Sequence, residues 1–196
     1  MFVKKYVVLF INLFLLLLIS SESLATAWPK TRAEFASLPP YCLARQGKQI
    51  GLTVSEVEIK KWERILGGGF LHVHHFCAAL NTLKILDRGT PKEYELQGVI
   101  KEFDYVLTQS PKNFPLIPLI NVEKGKVLLR LNQRGEAVRE FLNAIKFKPN
   151  YTLPYAVLSD YYVQYGQEEE AKSILEEGLK HSPKSKMLMR RLAKLK

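Results

Sequence analysis

Two stretches of sequence decide the fold: AVREFLNAIKFKP at residues 137–149 and AKSILEEGLKHSP at residues 171–183. When position 137 is laid over position 171 they match at four positions: Ala137 with Ala171, Phe141 with Leu175, Ala144 with Gly178, and Pro149 with Pro183. Chance similarity between helices of an ordinary bundle is the alternative explanation. Four matches at one spacing favour an internal repeat instead.

The matched residue types suit two packed helices in each repeat. Small residues, Gly125 or Ser159 in the first helix and Ala137 or Ala171 in the second, allow two backbones to approach closely. The larger residues Phe141 and Leu175 fill the space beside that crossing. Pro149 and Pro183 fall between units, where a fixed φ and a missing N–H end one helix and begin the next.

The period and the pattern resemble the tetratricopeptide repeat (TPR), a helix–turn–helix unit of about 34 residues. The first copy reads Asn121, Lys124, Gly125, Leu128, Ala137, Phe141 and Pro149, and the second reads Tyr155, Leu158, Ser159, Tyr162, Ala171, Leu175 and Pro183. Asn121 and Lys124 replace the expected aromatic residue and leucine. The resemblance implies an all-α array with one repeat at 118–151 and a second at 152–185.

Helical patterns flank the two repeats. Residues 71–117 predict a degenerate, TPR-like helical pair: one helix over about 71–87, and another that opens at Thr90 and runs to about Gln109. Residues 186–196 predict a capping helix, with leucines on one side and Lys186, Arg190, Arg191 and Lys194 exposed. A basic amphipathic helix lying on a membrane surface is the alternative for that segment. Gly135 and Gly166 are predicted to mark the turns inside the two repeats.

Residues 28–70 form an N-terminal arm with short helices. Thr31 with Glu34, and Ser55 with Glu58, have the spacing of capping boxes, in which each side chain satisfies a free N–H of the other. The triple glycine at 67–69 ends the second of these helices, because glycine disfavours helix continuation.

Residues 1–27 have the features of a signal peptide. Lys4 and Lys5 precede an apolar run over residues 7–19, and Ala25-Thr26-Ala27 has the small residues of a cleavage site. We therefore expect cleavage after Ala27, export, and a bacterial periplasmic location. An uncleaved leader that remains as a membrane anchor is the alternative.

The charge, the cysteines and the histidines limit the possible partners. The net charge is +10, yet the basic residues are scattered along predicted helices and export disfavours nucleic acid as a partner.

Cys42 and Cys77 are predicted to form a disulfide in an oxidising compartment. Since Cys77 closes the run His72-Val73-His74-His75-Phe76-Cys77, a zinc or copper site is a second interpretation, and free thiols are a third.

The chain also resembles a group of exported bacterial TPR proteins without an assigned activity, through Leu38–Cys42, His74–Cys77, Glu102–Leu107 and Ser159–Tyr162. TPR adaptors hold a peptide in a concave groove lined by the first helix of each unit. The resemblance places these side chains in that groove: Leu119, Val122, Lys126, Leu129, Arg130, Leu153, Ala156, Asp160, Val163 and Gln164. Val122, Ala156 and Val157 stand where chaperone-binding TPRs need polar groups, which disfavours that specialised role.

No motif of a hydrolase, metalloprotease, haem protein or nucleotide-binding loop is present in the sequence, so no enzyme activity and no cofactor are predicted. The leading hypothesis is an exported TPR scaffold that binds another protein or a peptide, with membrane contact only through an uncleaved leader. The alternative is a periplasmic metal-binding protein that uses His72, His74, His75 and Cys77.

Overall fold

The computed structural model describes residues 26–195, in which all regular secondary structure is helical and no β-strand occurs. The helices are α1 (Arg32–Ala36), α2 (Pro40–Gln46), α3 (Glu56–Leu66), α4 (Val73–Leu86), α5 (Glu93–Gln109), α6 (Ile117–Arg130), α7 (Arg134–Phe147), α8 (Thr152–Gln164), α9 (Glu168–His181) and α10 (Lys186–Leu192). Short 3-10 turns lie at Gly47–Ile50, Gly67–Leu71 and Ala193–Leu195. The all-α prediction is confirmed.

None of the helices in this part of the chain is both long enough and apolar enough to span a bilayer. Residues 1–25, which carry most of the predicted signal peptide, lie outside the described residues.

The helical hairpins α6–α7 and α8–α9 repeat each other. Helix α9 begins 34 residues after α7 begins (168−134) and ends 34 residues after α7 ends (181−147). This is the spacing of the sequence repeat (171−137). The turn inside each hairpin repeats too, since the N–H of Gln133 donates to Leu128 O at 2.9 Å and the N–H of Gln167 donates to Tyr162 O at 2.9 Å. The sequence period is therefore also a structural period.

Each of these turns contains one residue with a positive φ, but only one of the two is a glycine that was predicted to mark a turn. Gly166 has a φ of 71°, as a turn glycine should, but its counterpart one period earlier is Asn132, with a φ of 58°. Gly135, predicted to mark the first turn, lies inside the first turn of α7. Asparagine tolerates the left-handed region better than other side chains, which is why a turn can form here without glycine.

Small residues lie where the paired helices cross. A Cβ built on Gly125 would lie 2.4 Å from Cε1 of Phe141, and one on Gly178 would lie 2.8 Å from Cγ of Tyr155. Ala137 and Ala171 are completely buried on the facing helices. At these glycines the backbone of one helix lies directly against an aromatic ring of the other, which brings the helices of each hairpin close together.

Helices α4 and α5 form the predicted helical pair before the repeats, with shorter bounds. The first helix begins at Val73, because residues 67–71 form a 3-10 turn. The second begins at Glu93, two to three residues after the predicted Thr90–Pro91 start. The carboxylate of Glu95 accepts the N–H of Lys92 at 2.6 Å, so the first turn is capped there and not at Thr90.

The N-terminal arm packs onto α4 and shares the main hydrophobic core. Phe35 and Tyr41 from the arm are buried in the same cluster as Phe141 and Leu158 from the repeats. Thr31 and Glu34 form the predicted capping box. Ser55 accepts the N–H of Glu58 at 3.2 Å, whereas the carboxylate of Glu58 accepts from Trp62 instead of closing a second box.

A disulfide joins this arm to α4. Cys42 in α2 and Cys77 in α4 are bonded, both are completely buried, and they are 35 residues apart in sequence. Closing a loop of this length stabilises the fold by about 3–4 kcal/mol in the chain-entropy model.

Helix α10 packs against α8 and α9 and covers the end of the last hairpin. Its Leu188 is completely buried with Tyr155, Ala156 and Leu175. The helix is shorter than predicted, since it ends at Leu192 and continues as a 3-10 turn to Leu195.

Candidate functional site

Two of the residues predicted to line a groove lie in the core. Val122 and Ala156 are 0% exposed, so they cannot contact a partner. They precede Gly125 and Ser159 by three residues, and residues three apart share one face of a helix. The face packed against neighbouring helices therefore includes them, which corrects the prediction at these positions.

Five more of the predicted groove residues already have contacts within the chain. Leu119, Leu129 and Leu153 are half-buried against the main core. Lys126 Nζ lies 2.7 Å from Glu123 Oε1, and Arg130 Nη1 lies 3.0 Å from Asp87 Oδ1. These five side chains are therefore already engaged in contacts within the chain.

The N-terminal arm covers the region where α6 and α8 begin. Tyr41 of α2 is almost fully buried, and burial raises its pKa, with a further rise from the nearby Glu123 of α6 and from Tyr151. The Tyr41 hydroxyl has no hydrogen-bond partner. Tyr41 therefore belongs to the same hydrophobic cluster as Tyr151, the residue that precedes α8.

The face of α8 that was predicted to line the groove is open to solvent at the C-terminal end of that helix. Asp160, Val163 and Gln164 are exposed there, and the first two line a cavity of about 690 Å³ between α8, α9 and α10. The lining comprises Ser159, Asp160, Val163, Glu168, Leu175, Arg190, Arg191, Lys194 and Leu195. We name this space the α8–α10 cavity.

The α8–α10 cavity combines apolar side chains with a charged rim. Val163, Leu175 and Leu195 supply apolar surface. Arg191 binds Asp160 through two hydrogen bonds, Nε to Oδ1 and Nη2 to Oδ2, both 2.9 Å long. These bonds raise the pKa of Arg191 and hold the guanidinium at the rim.

Arg190 and Lys194 add two exposed positive charges to that rim. Counting Asp160 and Glu168 against the three basic residues leaves the lining with one net positive charge. A ligand that carries an anionic group beside an apolar side chain would complement this apolar lining and its positive rim.

Sequence reasoning assigned the basic residues of this cavity to the outer face of a cap. The sequence shows that these basic residues share the last helical segment. No local pattern indicates that Arg191 lies beside Asp160, which is 31 residues earlier in the chain. Ser159, Glu168, Leu175 and Leu195 were not assigned to the site either. The repeat pattern is the signal that points to them, because a cap must lie against the last hairpin.

The histidine cluster does not form the proposed metal site. Cys77 is bonded to Cys42, so its sulfur is unavailable as a thiolate ligand. His75 Nδ1 lies 2.5 Å from Glu102 Oε2, and its ring lies 3.8 Å from that of Tyr105, centroid to centroid. Within residues 26–195 no three His, Cys, Asp or Glu side chains are arranged to hold a metal ion.

His74 is held neutral inside this cluster. Burial lowers its pKa to about 4, and the neighbouring His75 and Arg45 lower it further. Its Nδ1 atom is buried without a hydrogen-bond partner. The ring packs at 5.6 Å from Trp28 and 4.4 Å from His75, measured between centroids. Packing, not ligand binding, explains the positions of these rings.

No known protein-family model matches this sequence, and neither does any curated protein.

Proposed function

We propose that this chain is an exported TPR-type adaptor that binds an acidic, partly apolar peptide segment of another protein in the α8–α10 cavity. The open cavity with its basic rim carries the proposal, because the rest of the predicted groove is buried or internally paired. The repeated helical hairpin and the leader-like sequence at 1–27 support the family and the periplasmic location.

Charge complementarity favours an acidic partner. Arg190 and Lys194 are exposed, and the chain as a whole carries a net charge of +10. Peptide carboxylates would bind these two side chains, while an apolar side chain would contact Val163 and Leu195. Such binding weakens as salt screens the exposed charges.

Site-specific cross-linking in the native cell envelope tests the location. A photoreactive phenylalanine analogue replaces Val163, which is 45% exposed in the cavity, or Leu142, which is 46% exposed on α7 outside the lining. We expect a reproducible cross-linked partner from position 163 only. No product, or equal products from both positions, contradicts the proposal.

Charge reversal tests the chemistry. Arg190→Glu with Lys194→Glu should abolish the cross-link at position 163, whereas Arg139→Glu with Lys146→Glu, on α7 outside the lining, should preserve it at the same net charge. Purified protein should also bind short peptides of Glu, Leu and Gly but not the same peptides with Lys for Glu. Equal binding of both peptide sets counts against an acidic partner.

A further inference from the structure

The segment that joins the predicted leader to the arm is fastened to α4. The N–H of Ala27 donates to Thr82 Oγ1 at 3.0 Å, and Asn81 Nδ2 donates to the carbonyl of Ala27 at 2.8 Å. Asn81 and Thr82 are 3% and 4% exposed. Ala27 therefore satisfies two polar side chains in a buried part of the molecule.

The neighbours of Ala27 extend this attachment. Thr26 Oγ1 donates to Glu102 Oε1 of α5 at 2.5 Å, and the N–H of Trp28 donates to the carbonyl of Thr26 at 2.9 Å. The indole of Trp28 packs against His75 with a centroid separation of 5.2 Å. Residues 26–28 thus belong to the folded domain.

With alanine immediately before the cut, the sequence permits two cleavage positions here. Signal peptidases require small residues at the first and third positions before the cut. Ala27 and Ala25 meet this requirement for a cut after Ala27, and Ala25 and Ser23 meet it for a cut after Ala25. Composition alone does not distinguish these two registers.

The contacts of Ala27 distinguish them. A chain that began at Trp28 would leave Asn81 Nδ2 without the Ala27 carbonyl and would remove one of the two hydrogen bonds of Thr82 Oγ1, which still donates to the carbonyl of Ala78 at 2.8 Å. Buried polar groups in folded proteins are nearly always hydrogen-bonded. The register that keeps Thr26 and Ala27 in the mature chain is the one that satisfies these groups.

We infer that the mature chain begins at Thr26 and not, as the sequence pattern alone predicted, at Trp28. Hydrolysis of the Ala25–Thr26 peptide bond adds one water, leaving a carboxylate on Ala25 and an α-amino group on Thr26. That amino group belongs to the residue whose hydroxyl already donates to Glu102, so its positive charge would lie close to a carboxylate. The inference rests on the export proposed above and is independent of partner binding.

The test is the N-terminus of the full-length chain after export from a bacterial host, read by N-terminal sequencing and intact mass. A start at Thr26 supports the inference. A start at Trp28, or at any other internal residue, overturns it while export stands. A chain that retains Met1 overturns the inference, and it overturns the export as well if the chain is found only in the cytoplasmic fraction.

Two variants separate the registers without depending on the fold. Ser23→Asp changes the third residue before the inferred cut and should prevent a start at Thr26, so that the chain either stays unprocessed or is cut after Ala27 instead. Ala27→Leu changes the second residue after that cut and should still be processed at Thr26, although it would prevent a cut after Ala27. A start at Thr26 in Ser23→Asp, or the loss of that start in Ala27→Leu, overturns the inference.

Discussion

Gly125 lies directly against the ring of Phe141: a Cβ added to Gly125 would meet Cε1 of that ring at 2.4 Å. Both residues are completely or nearly buried between α6 and α7. The absence of a side chain at position 125 therefore allows α6 to approach the Phe141 ring of α7 this closely.

Gly125→Ala should destabilise the chain by about 1–3 kcal/mol, because the Phe141 ring must shift within a packed core. The measurement is the free energy of unfolding from urea titration. Gly135→Ala is the matched control, since nothing lies within 4 Å of a Cβ there and the residue is helical. Alanine should stabilise that position by about 0.5–1 kcal/mol. Equal effects at the two positions would contradict close packing at residue 125.

Replacing Cys42 and Cys77 together with alanine should lower the free energy of unfolding by about 3–4 kcal/mol, because the unfolded chain regains the freedom of the closed loop. Urea titration of the oxidised parent and the double variant measures this change. Adding reductant should lower the stability of the parent and leave that of the variant unchanged. A variant as stable as the oxidised parent would show that the bond contributes little.

Lys124→Met should cost about 1–3 kcal/mol, because it leaves the buried carboxylate of Glu140 without its ion pair. Lys124 Nζ lies 2.8 Å from Glu140 Oε1 and 2.7 Å from Asp104 Oδ1, and so connects α5, α6 and α7. Burial opposes the charge on Lys124, but these two carboxylates outweigh it and raise its pKa.

A double-mutant cycle isolates that interaction. Adding Glu140→Gln to Lys124→Met should recover part of the loss, since no unpaired buried charge remains. Lys126→Met is the control, because its pair with Glu123 is more exposed and should contribute no more than about 1 kcal/mol. Additive effects of the two changes would argue against coupling between Lys124 and Glu140.

The stability of the chain should depend on pH through His74. Its pKa is lowered from 6.5 to about 4 in the folded state, so the unfolded state binds the proton more readily. The contribution of neutral His74 to the free energy of unfolding is complete above pH 6.5 and is lost as the pH falls through 4. Because the ring is only half-buried, screening reduces the effect to about 1–2 kcal/mol.

His74→Phe tests this dependence, since it keeps an aromatic ring against Trp28 and removes the titrating group. Between pH 7 and pH 4 the variant should lose less stability than the parent, as measured by urea titration at each pH. Parallel pH profiles would assign the acid sensitivity to other groups.

A recombinant chain that begins at Trp28 should be less stable than one that begins at Thr26. Removing Thr26 and Ala27 leaves Asn81 Nδ2 without its acceptor, at a cost of about 1–3 kcal/mol, whereas Thr82 keeps its hydrogen bond to the carbonyl of Ala78. Urea titration compares the two purified proteins. Thr26→Val in the longer chain is the control, because it removes only the hydrogen bond to Glu102 and should cost about 1 kcal/mol.

Much of the helical organisation could be predicted from sequence because its signals are local. The small residues at 137 and 171 and the prolines at 149 and 183 act within one or two turns of chain, and the period relates them. The helix starts were less well predicted: α5 begins at Glu93 because Glu95, and not Glu93, reaches back to a free N–H. Neighbouring carboxylates compete for the same cap, and sequence spacing alone does not decide between them.

The candidate site depended on contacts that no local pattern contains. Val122 and Asp160 both lie on first helices of a hairpin, yet one is buried and the other is exposed at the α8–α10 cavity. Which face of a helix remains open is set by how its neighbours cross it, and the arm and α10 are such neighbours. Repeat length and helix pairing therefore followed from the sequence by itself. The open cavity, the Asp160–Arg191 ion pair and the attachment of Ala27 were decided only by tertiary structure, because their partners are 31 to 55 residues apart along the chain.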